Sequence, residues 1–128
     1  MSRDDLIARL EAATADDKRL LEAVWEHLCQ SSLEFRRYAC TTTDGDGWTQ
    51  TGRFMRMLDA GAYESAALTL VPSGKGHDPW WMLKAPWRGR AVVEIWVDGK
   101  GKPFRGAAPT PALAICIAGL KARKEIDQ

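Results

Sequence analysis

The chain has 128 residues, of which 27% are charged and 45% are hydrophobic. This composition is typical of a globular protein, and the length predicts a single domain over residues 1–128. The 18 basic and 17 acidic side chains leave a formal charge of +1, which argues against a protein that grips duplex nucleic acid through many phosphates. Because no run of about 18 apolar residues and no signal-peptide pattern occurs, we expect no membrane span and a cytoplasmic location.

Two helices are predicted in the N-terminal third. Ser2 followed by Asp5 resembles a capping box, and a break at residues 14–17 precedes a second helix. That second run has an apolar stripe at helical spacing, formed by Leu20, Leu21, Val24, Trp25 and Leu28. The first 35 residues hold eight acidic and four basic side chains, a net charge of −4.

The middle of the chain has a weaker pattern. The turn-rich residues 41–47 predict a loose hairpin between the segments on either side, and residues 54–58 fit a strand or a helix equally well. Residues 63–72 indicate a short helix that Pro72 stops, and residues 73–79 form a predicted loop. Residues 36–90 hold eight basic and five acidic side chains, a net charge of +3.

The last third predicts an antiparallel meander followed by a helix. Strands are expected over residues 80–85, 90–97 and 104–107, with turns at 86–89 and 98–102. Thr110 and Pro111 are typical of the start of a helix, at the N-cap and first helical positions. Residues 112–120 contain no charge, so this helix must be covered on nearly every side, by the sheet on one face and another element on the other.

Few side chains favour catalysis or metal binding. Cys29, Cys40 and Cys116 are widely spaced and form no CxxC pair, which favours three reduced thiols. The only histidines are His27 and His77, and neither has a neighbouring pattern typical of a catalytic group or a metal ligand. We therefore expect no catalytic residues, no metal, no cofactor and no enzymatic activity.

Tryptophan use is the feature that stands out from the background. Four of the six tryptophans fall within seventeen residues, among several basic side chains. Exposed tryptophan beside arginine favours base stacking or the anchoring of a protein partner, whereas the alternative is that these rings fill the space between sheet and helices. The candidate binding residues are Trp80, Trp81, Lys84, Trp87, Arg88 and Arg90.

Three segments together resemble a known family. They are LIARLEAAT at residues 6–14, YESAALTLVP at 63–72 and APTPALAICIAGLKAR at 108–123. They are similar to the phage ABA-sandwich domain family of small phage and prophage proteins, and the resemblance is absent over residues 29–62. It implies an α+β fold, an αβα sandwich with a small antiparallel sheet packed between the N-terminal and C-terminal helices. It implies no activity, because the matched residues are capping and core residues.

Two functions from different classes fit these observations. The first is a phage- or prophage-encoded accessory protein that acts by non-enzymatic binding to a protein partner or to itself. The second is a counter-defence protein that sequesters a nucleotide-like host signal through Lys84, Trp87, Arg88 and Arg90. An enzyme would require a site within residues 29–62.

Overall fold

The computed structural model describes the backbone of residues 2–42, 45, 47–71, 80–87, 89–96 and 102–126, and the side chains of these residues outside 80–87 and 124–126. Six helices and three strands lie in these ranges. They are α1 (Arg3–Ala12), α2 (Lys18–Ser31), α3 (Leu33–Ala39), α4 (Gln50–Asp59), α5 (Tyr63–Leu68), β1 (Trp80–Trp87), β2 (Arg90–Trp96), β3 (Phe104–Ala108) and α6 (Pro111–Ile126).

The two predicted N-terminal helices are confirmed, together with the capping that starts them. The Ser2 hydroxyl accepts from the Asp5 amide, and the Asp5 carboxylate accepts from the Ser2 amide. Asp17 caps α2 by accepting from the amides of Arg19 and Leu20. The stripe on α2 is buried except at Leu20, which is half-buried, so the amphipathic pattern identifies the face that packs on the core.

The predicted hairpin in the middle of the chain is wrong. The segments on either side of residues 41–47 form helices α3 and α4, and an isolated antiparallel bridge links Thr42 to Thr49. Ser32 caps α3 by accepting from the Phe35 amide at 3.1 Å, and Thr49 caps α4 by accepting from the Gly52 amide at 3.0 Å. Side-chain capping favours the helix over the extended alternative in both segments.

The three predicted strands are confirmed as an antiparallel sheet in the order β1-β2-β3. β1 continues to Trp87, two residues into the predicted turn, with a register irregularity between Lys84 and Trp87. Gly89 follows with φ of +76°, a conformation that glycine adopts without strain. The predicted loop at 73–79 lies outside the described residues, as does the predicted turn at 98–102 up to residue 101.

Helix α6 is the central element of the packing. Residues 112–120 are all buried, and the helix contacts β2 and β3 as well as α1 and α5. This confirms that an uncharged helix is covered by the sheet on one face and by other elements elsewhere. Thr110 caps it, accepting from the Leu113 amide at 3.3 Å and donating to the Asp16 carboxylate at 2.5 Å. The α+β class, with an antiparallel sheet against the C-terminal helix, is therefore confirmed.

Helix α6 approaches the sheet closely at Gly106 of β3. A Cβ atom at this position would lie 2.2 Å from the Ala114 carbonyl oxygen and 2.8 Å from the Ala118 amide nitrogen. Both neighbours are backbone atoms of α6, so no rotamer change could relieve the overlap. The absence of a side chain at Gly106 lets the helix backbone rest directly on the strand.

A buried arginine connects the end of α6 to α3 and to the residues that follow α5. Arg123 is 7% exposed, its Nε donates to the Leu70 carbonyl oxygen at 3.0 Å, and its guanidinium carbon lies 4.6 Å from the centre of the Phe35 ring. The hydrogen bond satisfies a carbonyl just beyond the end of α5, and the ring contact adds a cation–π interaction.

Gly106→Ala is expected to destabilise the protein by about 3 kcal/mol, because the added methyl group overlaps backbone atoms of α6. Urea unfolding followed by circular dichroism measures the loss. Gly119→Ala is the matched control: its Cβ would have its nearest contact at 3.5 Å from the Leu70 carbonyl oxygen, an ordinary van der Waals distance. We expect the control to keep or raise stability, and equal losses for the two variants would contradict the close contact.

Candidate functional site: the α4–α5 cleft

The sequence-predicted binding residues are placed mainly on one strand. Trp80, Trp81, Lys84 and Trp87 belong to β1, where their Cα partners on β2 are Trp96, Ile95, Val92 and Arg90 respectively. Arg88 lies outside the described residues, and Arg90 opens β2 with an exposed side chain. The backbone thus brings Trp87 and Arg90 opposite each other, and a joint binding role for the six residues stays a prediction.

Arg90 has a structural contact that the sequence did not predict. Its guanidinium donates to the Ala107 carbonyl oxygen at 3.4 Å, and Lys121 Nζ donates to the Arg105 carbonyl oxygen at 2.9 Å. Both acceptors are backbone groups of β3, the last strand in the sheet order. Arg90 of β2 and Lys121 of α6 thus each contribute a side-chain contact to the backbone of β3.

A concave surface lies elsewhere, between α4 and α5. Its volume is about 490 Å³, within the range of small-molecule sites. The turn that joins the two helices contains Gly61 with φ of +76°. The small side chains of Ala60 and Ala62 flank that glycine and leave the space open. The described residues that line the cleft are Trp48, Arg53, Arg56, Met57, Ala60, Ala62 and Ser65.

An aromatic ring and a guanidinium pack together at this cleft. Trp48, Gly52 and Arg56 are spaced by four residues, so they lie along one face of α4. Trp48 comes just before the residue that caps this helix. The Arg56 guanidinium carbon lies 4.5 Å from the centre of the Trp48 ring, a cation–π distance. Trp48 as a whole residue is 42% exposed. Trp48 therefore offers an open aromatic surface beside an arginine that is already oriented.

Because Gly52 has no side chain, the Trp48 ring can pack directly against α4. A Cβ atom at residue 52 would lie 2.9 Å from Cε3 of Trp48, closer than real Cβ contacts. The Thr49 hydroxyl accepts from the Gly52 amide, which fixes the start of α4 directly after Trp48. The capped helix and the missing side chain together hold the indole against α4.

The charge of the cleft is positive. Arg53 and Arg56 are both exposed and both line it, and among the described lining residues none is acidic. Ser65 adds a hydroxyl from α5 that can donate to or accept from a ligand. Two arginines, a hydroxyl and an aromatic face are the groups that bind an anion attached to a planar ring.

Two partly buried side-chain hydrogen bonds position α4. Trp25 Nε1 donates to the Thr51 hydroxyl at 3.1 Å, and that hydroxyl donates to the Ala39 carbonyl oxygen at 3.1 Å. The Trp25 ring also stacks on Phe54 with centres 4.3 Å apart. These contacts join α2, α3 and α4, so the helix that carries Trp48, Gly52 and Arg56 rests on the aromatic core.

The other end of α4 is held by an ion pair. Lys18 Nζ lies 2.5 Å from the Asp59 carboxylate and 3.9 Å from that of Glu22. The hydrogen bond and the charge of Asp59 raise the pKa of Lys18 above its ordinary value, with a smaller contribution from Glu22. Because Asp59 precedes the Ala60–Ala62 turn, this exposed pair lies beside the mouth of the cleft.

Sequence reasoning missed this cleft because it missed α4. The spacing of Trp48, Gly52 and Arg56 becomes informative once a helix is expected from Thr49 onward. The signals were Thr49 as a capping residue and Phe54 with Leu58, which are four residues apart and both buried.

The remaining chemistry-bearing groups are dispersed in the described part of the chain. Within those ranges no three His, Cys, Asp or Glu side chains lie close enough to hold a metal ion. Cys116 is buried in α6, Cys29 is half-buried and Cys40 is exposed. Of the helices that the structure describes, none combines the length and the apolar character needed to cross a membrane.

Comparisons of the chain with models of protein families, with curated proteins and with solved structures found no match. The resemblance to the phage ABA-sandwich domain family therefore stays a prediction.

Gly52→Ala is expected to move the Trp48 ring without unfolding the protein. The new methyl group displaces the indole, whereas alanine favours the helix by up to about 1 kcal/mol over glycine. The Trp48 indole N–H resonance, identified by its loss in Trp48→Phe, should shift in Gly52→Ala and stay in place in Gly119→Ala. An unchanged resonance would show that Trp48 does not rest on Gly52.

The three thiols are expected to react at very different rates with an alkylating reagent. Burial raises the pKa of Cys116 to about 12 and also raises the pKa of Cys29, which lowers their thiolate fractions near neutral pH. Mass spectrometry of the folded protein at pH 8 should show Cys40 labelled first, Cys29 more slowly, and Cys116 only after urea is added. Rapid labelling of Cys116 before unfolding would contradict its burial.

Proposed function

We propose that this protein acts by non-enzymatic binding and that the α4–α5 cleft takes a small nucleotide-like ligand. The observation that supports this most directly is the exposed Trp48 ring held beside Arg56, with Arg53 on the same cleft. The indole stacks on a base, and the two guanidinium groups bind phosphate oxygens. This proposal moves the site from the predicted Trp87–Arg90 surface to a different arginine–tryptophan pair.

The volume and the openness of the cleft suit a ligand of this size. About 490 Å³ accommodates one nucleotide, and the alanines on either side of Gly61 leave the floor unobstructed. Sequestration without turnover requires nothing beyond tight binding. A phage or prophage origin and a counter-defence role in the host cytoplasm belong to the proposal through the sequence resemblance.

A protein partner is the second candidate for the same surface. Tryptophan and arginine are among the residues most enriched at the energetic centres of protein interfaces, and Trp48 and Arg56 are both exposed. Native mass spectrometry of the protein purified from bacteria separates the candidates. An excess mass of nucleotide size that disappears on denaturation favours the ligand, and a clean polypeptide mass favours the partner.

Trp48→Ala and Arg56→Ala are each expected to weaken nucleotide binding at least about tenfold, since base stacking contributes about 1–3 kcal/mol and a charged hydrogen bond a similar amount. Calorimetric titration with a panel of mono-, di- and cyclic nucleotides measures the affinity. Arg19→Ala, which removes an exposed arginine from α2, is the matched control and should bind like the parent protein.

The paired variant Arg88→Ala/Arg90→Ala tests the sequence-predicted surface in the same titration. If it abolishes binding while Trp48→Ala retains it, the cleft is the wrong site. If no nucleotide of the panel binds the parent protein at millimolar concentration, the ligand class is wrong.

A further inference from the structure

A second groove lies beside α1, at the junction with β3 and α6. Its volume is about 440 Å³, and it shares no lining residue with the α4–α5 cleft. Two half-buried apolar side chains form part of its wall, and charges of both signs surround them. The lining residues are Arg3, Asp4, Ile7, Glu11, Phe104 and Lys121.

Three of these residues form a stripe along α1. Arg3, Ile7 and Glu11 are spaced by four, so they occupy one face of the helix over two turns, about 12 Å. The stripe is basic at its N-terminal end, apolar at its centre and acidic at its C-terminal end. We call it the α1 stripe.

The groove also contains an unsatisfied donor. Arg3 Nε is buried and has no hydrogen-bond acceptor among the residues that the structure describes. Nε itself has no accessible surface and Arg3 as a whole is half-buried, so a group from another copy would have to bond the terminal nitrogens of this guanidinium. A carboxylate is the strongest acceptor for a guanidinium.

We propose that two copies of this chain associate through the α1 stripe, with the two α1 helices antiparallel about a two-fold axis near Ile7. In this arrangement Arg3 faces Glu11 of the partner subunit, and the same contact is repeated by symmetry. Ile7 meets the partner's Ile7 at the centre, and Phe104 extends the apolar contact along the groove.

Charge complementarity identifies the second copy as the occupant. Arg3 and Lys121 balance Asp4 and Glu11, so the groove is neutral and carries both signs. The order of charge along the α1 stripe is reversed in an antiparallel copy, which makes the stripe complementary to itself. A two-fold interface closes on itself and gives a defined dimer, as most homo-oligomers do.

Charge reversal provides the test. Arg3→Glu and Glu11→Arg should each raise the dimer Kd at least about tenfold, because each change places like charges together twice in the symmetric interface. The double variant Arg3→Glu/Glu11→Arg should restore a Kd close to that of the parent protein. Sedimentation velocity over a range of protein concentrations measures all four.

Neither substitution is expected to damage the fold. Arg3→Glu adds negative charge to the first turn of α1, and Glu11→Arg adds positive charge to its last turn, and both suit the helix dipole. Arg9→Glu, which reverses an exposed charge on the same helix outside the groove, is the matched control and should leave the Kd unchanged.

The outcomes are distinct from those of the nucleotide experiments. Loss of the dimer in the single variants and its recovery in the double variant support the proposal. A parent protein that is monomeric at about 100 μM, or a double variant that fails to recover the dimer while folded, overturns it. Nucleotide affinity should be the same in all four proteins, because no groove residue lines the cleft.

Discussion

The structure depends on the direct contact between α6 and β3. Residues 112–120 carry no charge and are buried, so the helix needs neighbours on every side, and Gly106 allows one of them to approach as closely as backbone permits. The remaining sides are covered by α1 and α5. A single helix thus joins the sheet to the helical part of the chain, and a displacement of α6 would disturb both.

Arg123 extends this dependence toward the cleft. A buried guanidinium is costly unless its donors are satisfied, and here Nε bonds the Leu70 carbonyl while the ring of Phe35 covers the planar group. Phe35 meets Trp25 edge-on with centres 4.8 Å apart, and Trp25 stacks on Phe54 of α4. A continuous series of contacts therefore runs from the end of α6 to the helix that carries Arg53 and Arg56. The helix that carries the two arginines of the cleft therefore rests on the core.

The parts of the fold that could be predicted from sequence are those with complete local signals. Ser2, Asp17 and Thr110 cap helices whose apolar patterns are clear, and the β-branched residues of β2 define the central strand. Helices α3 and α4 are short and polar on much of their surface, and their capping residues Ser32 and Thr49 stand beside a turn-rich segment that suggests a hairpin. The same difficulty hid the cleft. The tryptophans at 80–96 stand out by their number, whereas Trp48 becomes informative only once α4 places its ring beside Arg53 and Arg56.

The positions of individual charges in the structure matter more than the net charges of the N-terminal and middle segments. An acidic N-terminal segment and a basic middle segment could attract each other between copies, but such a head-to-tail contact joins different surfaces and generates open chains unless its rotation closes. The α1 stripe avoids this outcome because Arg3 lies within the acidic segment and faces the same groove as Glu11. Arg53 and Arg56 then remain available on α4, where positive charge attracts an anion. The two proposed surfaces therefore use different charges. The opposite charges of Arg3 and Glu11 serve association, and the two positive charges of Arg53 and Arg56 serve ligand binding.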